Sequence, residues 1–185
     1  MTAEPTRGPL AHRLDDIARI ATATGGEVVV EHVPFLAQVD LRLAPELAPR
    51  APYPLPLAPN TAWEEGPRAA LWLGPDEWLI LGPPESQGDI LHELDTALEG
   101  THRSIVDVSD NRVALELGGP RVRELLSKGC PLDLDATSWG IGSCAQTLLA
   151  RAQVILHERA ETTGILVRLS FADYLVDWLL DAAIG

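Results

Sequence analysis

The spacing of apolar positions changes period several times along the chain, and each change marks an element. Over residues 10–21, Leu14, Ile17, Ala18 and Ile20 fall at helical intervals and Gly25-Gly26 follows as a stop, which predicts a short N-terminal helix. Residues 28–33 and 36–43 then read as strands, the second alternating apolar and polar from Val39 onward, with Pro34 marking a turn between them. Residues 44–67 carry Pro45, Pro49, Pro52, Pro54, Pro56 and Pro59. Prolines lack a backbone donor and hold the chain near polyproline geometry, so a long, stiff connection is expected there. Ala69-Ala70-Leu71-Trp72-Leu73, a Gly74-Pro75-Asp76 turn and Glu77-Trp78-Leu79-Ile80-Leu81 predict a β-hairpin ended by Gly82-Pro83-Pro84. Ile90, Leu91, Leu94, Ala97 and Leu98 then share one helical stripe, with Gly100 placed as a cap beyond it.

The second half uses the same grammar. Strands are predicted over residues 104–108 and 112–117, joined around Ser109-Asp110-Asn111. Gly118-Gly119-Pro120 starts a helix whose inward stripe is Val122, Leu125 and Leu126, and which ends near Gly129-Cys130-Pro131. Three more strands are expected at residues 145–150, 153–157 and 164–169. A terminal helix over residues 170–183 follows, with Ser170 and Asp173 resembling a capping box. The order predicts an α+β fold of two pseudo-repeated lobes of antiparallel or mixed sheet with helices. Residues 10–100 form the first lobe, which has the proline-rich connection where the second has a helix. Residues 101–185 form the second lobe, and residues 1–9 a disordered opening.

Composition narrows the functional classes. Hydrophobic residues at 46% suffice for a packed core. A formal charge of −13, from 27 acidic against 14 basic side chains, repels phosphate backbones and anionic membrane surfaces, so neither nucleic acid nor membrane is expected as a partner. No apolar run reaches membrane-spanning length, and the opening Met1-Thr2-Ala3-Glu4-Pro5-Thr6-Arg7 lacks the basic-then-apolar order of a signal peptide, which places the protein in the cytoplasm. Cys130 and Cys144 stand outside any C-x-x-C pair and are read as reduced, packed thiols rather than a disulfide, zinc or redox site.

The residues capable of chemistry have competing structural explanations. Gly118-Gly119-Pro120 precedes a helix, where free N–H groups favour an anion, but Pro120 removes a donor and no P-loop or dinucleotide fingerprint surrounds it, so a simple turn is favoured. His12, His32, His92, His102 and His157 never occur at H-x-x-x-H spacing. Asp107 and Asp110 flank Ser109, where one carboxylate could serve as a base, although Asp in such a setting more often organises a tight turn. No serine sits in a G-x-S-x-G elbow. No catalytic, cofactor or metal site emerges. Trp72 and Trp78 read as core, whereas Trp63 adjoins the proline-rich segment. A proline-stiffened stretch with exposed apolar groups is a liability without a cover, so Tyr53, Pro54, Leu55, Pro56, Leu57 and Trp63 are the expected partner interface.

Four stretches together resemble the gamma-subunit family of heterotetrameric sarcosine oxidase. They are Leu73-Gly74-Pro75-Asp76-Glu77-Trp78-Leu79, Val106-Asp107-Val108-Ser109-Asp110-Asn111-Arg112, Lys128-Gly129-Cys130-Pro131-Leu132-Asp133-Leu134 and Ser170-Phe171-Ala172-Asp173-Tyr174-Leu175. Cys144-Ala145-Gln146-Thr147-Leu148-Leu149 is similar to a further run of that family. The resemblance implies a subunit without its own active centre, in a complex that oxidatively demethylates sarcosine to glycine, yielding hydrogen peroxide with formaldehyde or methylenetetrahydrofolate. FAD, FMN, NAD, zinc and tetrahydrofolate would belong to the alpha, beta and delta subunits, and alpha would be the most direct partner. Asp107-Val108-Ser109 running to Gly118-Gly119-Pro120 also resembles the folate-binding domain of the glycine-cleavage T-protein. That family needs a carboxylate on a following strand, yet residues 136–156 contain no Asp or Glu, and the corresponding strand reads Ala152-Gln153-Val154-Ile155. The resemblance therefore implies a T-protein-like fold with the folate function lost. The alternative is a stand-alone folate-binding or aminomethyl-transfer protein.

Overall fold

Where the apolar period is two, the described residues form ten strands: β1 (Val29–Val33), β2 (Leu36–Leu43), β3 (Ala62–Glu65), β4 (Arg68–Gly74), β5 (Glu77–Pro84), β6 (Arg103–Asp107), β7 (Arg112–Gly118), β8 (Cys144–Leu149), β9 (Ala152–Glu158) and β10 (Thr162–Arg168). Where it approaches 3.6, four helices form: α1 (Leu14–Ala23), α2 (Gln87–Ala97), α3 (Val122–Ser127) and α4 (Ala172–Ile184). This computed structural model describes residues 8–185. The opening expected to be disordered lies outside the described residues except for Gly8 and Pro9, and the Gly8 carbonyl accepts a 2.9 Å bond from the Ala11 N–H.

The strands assemble into two five-stranded sheets, ordered β1-β7-β10-β9-β8 and β3-β4-β5-β2-β6, and every pairing is antiparallel. The α+β class and its helix-flanked sheets follow the expectation, with the sheets antiparallel rather than mixed. Both sheets draw on both halves of the sequence. The runs flanking Pro34 do not pair with each other, since β1 joins β7 while β2 joins β5 and β6. Phe35, at φ 59°, turns the chain out of one sheet and into the other. Ser109-Asp110-Asn111 makes the return crossing, from β6 on β2 to β7 on β1 and β10.

Side chains alternate across each strand, which gives each sheet two apolar faces. One face of the first sheet packs on α1, α3 and α4 through Ile17, Ile20, Leu115, Leu125, Leu156, Val167, Leu175 and Leu179. One face of the second packs on α2 and the proline-rich segment through Val39, Leu41, Ile80, Trp78, Ile90 and Leu94. The remaining faces meet through Ala69, Leu71, Leu73 and Leu79 against Ala114, Cys144, Ile155 and Leu166. The result is two stacked sheets with helices outside them.

Three local expectations change. The 44–67 connection is not structureless. It holds a 3₁₀ turn at Pro45–Arg50 and contributes β3, which pairs with β4, because no proline falls between Pro59 and Pro67 and the backbone donors there are free for a ladder. β5 runs through Pro84 rather than ending at Gly82; the pairing there shifts register between Leu36 and Ala37, and proline is tolerated at such an irregular strand end. The Ser170–Asp173 capping box does not form, since a 3₁₀ turn at Leu169–Phe171 moves the helix start to Ala172. Asp173 Oδ1 instead lies 2.8 Å from His12 Nε2 and accepts a 3.1 Å bond from Arg13, tying α4 to the chain before α1.

Candidate functional site

The inter-sheet apolar layer is short, and polar residues take over at each end of it. At one end, Glu64 on β3 and Glu116 on β7 bracket Arg159, whose guanidinium pairs with both carboxylates. His157 Nε2 lies 3.7 Å from Glu64 on the same side. These groups enclose a cavity of only about 60 Å3, together with Leu36, Ala69, Leu81 and Gly164. Ion pairs close this end, so it has little room for a ligand.

Burial outweighs the Glu64 charge at His157 and pushes its imidazole down to about 4. A histidine held neutral in the fold takes up a proton more readily when unfolded. Its contribution to stability is therefore complete above the unfolded value near 6.5 and is lost as pH falls toward 4. Up to about 3 kcal/mol is expected to disappear over that window. Urea denaturation between pH 7 and 4 should show this slope flattened in His157→Gln; an unchanged slope would assign it to other groups.

The opposite end is open. Arg112, Gln146, Leu148, Gln153, Ile155 and Arg168 line a cleft of about 400 Å3, with Thr147, Val154 and Pro131 at its edges. Arg112 and Arg168 are direct cross-strand partners in the β7–β10 register. Burial, then the Arg168 charge, lowers the Arg112 guanidinium from its usual value. Asp40 and Glu77 act on Arg112 from the second sheet with the opposite sign. The Glu77 carboxyl is itself raised by burial, and next by the Asp40 charge, while Arg42 bridges it at 2.8 Å.

The residues singled out from the sequence are scattered. Asp107 Oδ1 accepts bonds from the Ser109 N–H at 3.0 Å and the Ser109 hydroxyl at 2.6 Å, and Ser109 Oγ in turn accepts the Gln38 N–H at 3.0 Å. This is turn chemistry that fixes the crossing between sheets. Gly119 has φ +112°, and a Cβ there would lie 2.3 Å from the Glu27 carbonyl oxygen, so Gly119 lets the chain pass closely by the segment that enters β1. Both cysteines are buried and free. The Cys144 thiol contacts the Thr61 carbonyl oxygen at 3.2 Å, and burial pushes it up to about 11, far from a reactive thiolate. Among the described residues, no group of three or more His, Cys, Asp or Glu side chains is placed to hold a metal ion. No helix there is long and apolar enough to cross a membrane.

The six expected interface residues divide by orientation. Tyr53 and Leu55 turn inward onto the second sheet, and the Tyr53 ring stacks on Trp63 with centroids 6.1 Å apart at 13°. Pro56 accepts a 2.7 Å bond from the Trp78 indole. Pro54 faces outward, and Leu57 is 58% exposed. The segment is thus anchored by alternate residues, which leaves Pro54 and Leu57, with the half-buried Pro56 and Trp63, for any partner. The arginine pair of the open cleft was not foreseen from the sequence. Its signal is a β-register that links residues 56 positions apart, Arg112 and Arg168, and the sequence alone does not display that.

Comparison with known proteins gives a consistent result. Residues 51–185 match the model of the "Sarcosine oxidase, gamma subunit family". A sarcosine oxidase subunit gamma from Arthrobacter sp is 35% identical over 184 residues, covering 95% of this chain and 89% of that one. A second, from Corynebacterium sp. (strain P-1), has the same identity and coverage. A chain of the heterotetrameric sarcosine oxidase from Corynebacterium sp. U-96 superposes with a TM-score of 0.85 at 33% identity, covering 96% of this chain and 94% of that one. The glycine cleavage system aminomethyltransferase T from Bartonella henselae superposes at 0.64 with 13% identity, covering 91% of this chain and 50% of that one. At that identity the likeness is one of fold, and it makes this fold T-protein-like.

Proposed function

The chain belongs to the sarcosine oxidase gamma subunit family, and we propose from this that it serves as the gamma subunit of a cytoplasmic heterotetrameric sarcosine oxidase, contributing to assembly rather than to chemistry. The observation that carries the proposal is the nearly end-to-end match, in sequence and in fold, to a chain of such an enzyme. In this reading the complex demethylates sarcosine oxidatively to glycine, with hydrogen peroxide and formaldehyde or methylenetetrahydrofolate as the other products. FAD, FMN, NAD, zinc and tetrahydrofolate are held by the alpha, beta and delta subunits, with alpha as the direct neighbour of this chain. The fate of its reactive groups supports a role in assembly. Asp107 is engaged in a turn, the Cys144 thiol is packed with a raised pKa, and His157 is buried and held neutral.

Co-expression with the alpha, beta and delta subunits tests the proposal. The chain should co-elute with flavin-bearing partners that form peroxide from sarcosine, and omitting it should lower the yield of assembled complex. Leu57→Asp, a change on an exposed position, should weaken co-elution without unfolding the chain if the outward side of the proline-rich segment is the contact. A chain that elutes alone, or a complex that assembles fully without it, would overturn the subunit role. Tight binding of tetrahydrofolate by the isolated chain would overturn the assembly-only role.

A further inference from the structure

We propose that Arg112 and Arg168 form an anion site in the open cleft at the end of the first sheet, taking a carboxylate or phosphate group whose apolar body lies against Leu148, Ile155 and Pro131. This goes beyond the subunit role and rests only on side chains of this chain. Like charges directly opposite on paired strands repel, and sheets ordinarily avoid them. Here the two guanidiniums share one register position on β7 and β10, and Arg112 is half-buried.

Among the described residues, neither side chain has an ion-pair or hydrogen-bond partner. The treatment of the other cations makes this pair unusual. Arg13, Arg19, Arg42, Arg68, Arg103, Arg121, Arg123 and Arg159 each meet a carboxylate. Arg50 and Lys128 donate to backbone carbonyl oxygens. Among the described residues, Arg151, exposed in the turn between β8 and β9, alone shares the lack of a partner.

With 27 acidic side chains in the sequence, carboxylates to neutralise the pair are plentiful, yet among the described residues none forms an ion pair with either guanidinium, and Asp40 and Glu77 act on Arg112 only through their charge. Glu77 is already bridged by Arg42. A ligand anion between the two guanidiniums would supply the missing charge, and guanidinium forks suit the planar carboxylate and the phosphate oxygens alike. Gln153 and Thr147 at the cleft wall add hydrogen-bonding groups. The chain's net charge of −13 repels anions at a distance, but salt screens that field beyond about 8 Å. Selection at this site is therefore a contact effect.

The test compares thermal unfolding of the full chain in inorganic phosphate, in benzoate and in chloride at equal ionic strength. At roughly ten times its dissociation constant, phosphate or benzoate should raise the midpoint by about 3 °C over chloride. Arg112→Gln and Arg168→Gln should each abolish the rise. In chloride, the exposed Arg168→Gln should be at least as stable as the parent, because it relieves the repulsion and serves as the folded control. Equal midpoints in all three salts, or a rise that survives both substitutions, would overturn the site. Repeating the titration on the assembled complex separates the sources of the anion. A persistent rise identifies a free small anion, whereas a rise lost on assembly identifies a carboxylate side chain from another subunit.

Discussion

Trp78→Ala is expected to lower stability by about 3–5 kcal/mol, roughly 10 °C in the thermal midpoint of a chain of this size. Trp78 is fully buried. It lies where β5 meets α2 and the proline-rich segment, and its indole N–H donates to the Pro56 carbonyl at 2.7 Å. Truncation opens a cavity that the rigid sheet cannot collapse into, and it removes the bond holding residues 51–57 against that sheet. Trp78→Phe separates the two effects. Most of the packing volume stays, so the loss is mainly the hydrogen bond with a small void, at about 1–2 kcal/mol. Urea midpoints of the two variants check this. A Phe variant as damaged as the Ala variant would mean that the bond to Pro56, and not the packing, anchors the segment. The result bears on the proposed assembly role, because the outward Pro54 and Leu57 are held in place by the inward Tyr53 and Leu55.

How far the sequence could be read follows from which interactions are local. The helices at Ile17 and Ile20, at Ile90 and Leu94, and at Leu175 and Leu179 were legible because their stripes repeat within a few residues. The β4–β5 hairpin was legible because Gly74-Pro75-Asp76 announces its turn. Partner choice among strands was not legible. The runs before and after Pro34 read as two strands with a turn between them, and only the tertiary structure shows them parting into different sheets. The inward faces of Tyr53 and Leu55 were hidden for the same reason, since an extended proline-rich segment alternates its sides without an apolar period to show which side is covered. The arginine pair is a consequence of sheet register, and register is settled by contacts between residues far apart in sequence. The family motifs, by contrast, are contiguous strings and could be read without any of this.

Glu158→Ala is expected to cost about 2–4 kcal/mol, because it removes a buried carboxylate from two buried donors and from the half-buried Arg123 guanidinium. Glu158 is 8% exposed and its two carboxylate oxygens are fully committed. Oε1 accepts from Arg123 at 2.6 Å, while Oε2 accepts from the Trp139 indole at 3.0 Å and the Thr163 hydroxyl at 2.8 Å. Arg123 also donates to the Leu134 and Trp139 carbonyl oxygens at 2.6 and 2.7 Å. One carboxylate and one guanidinium therefore hold the long connection between α3 and β8 onto the end of the first sheet. Without the carboxylate, two buried donors lose their acceptor and Arg123 loses its counter-charge. The connection should then open ahead of the rest of the molecule. Hydrogen exchange over residues 131–143 should accelerate more than exchange in β7 or β10, which keep their ladders. Replacing both partners, as in Glu158→Leu with Arg123→Met, should recover part of the loss in urea denaturation, because apolar side chains of similar size leave no orphaned charge. If the double variant is as unstable as the sum of the singles, the pair is not coupled and each residue acts only through its own contacts to the connection.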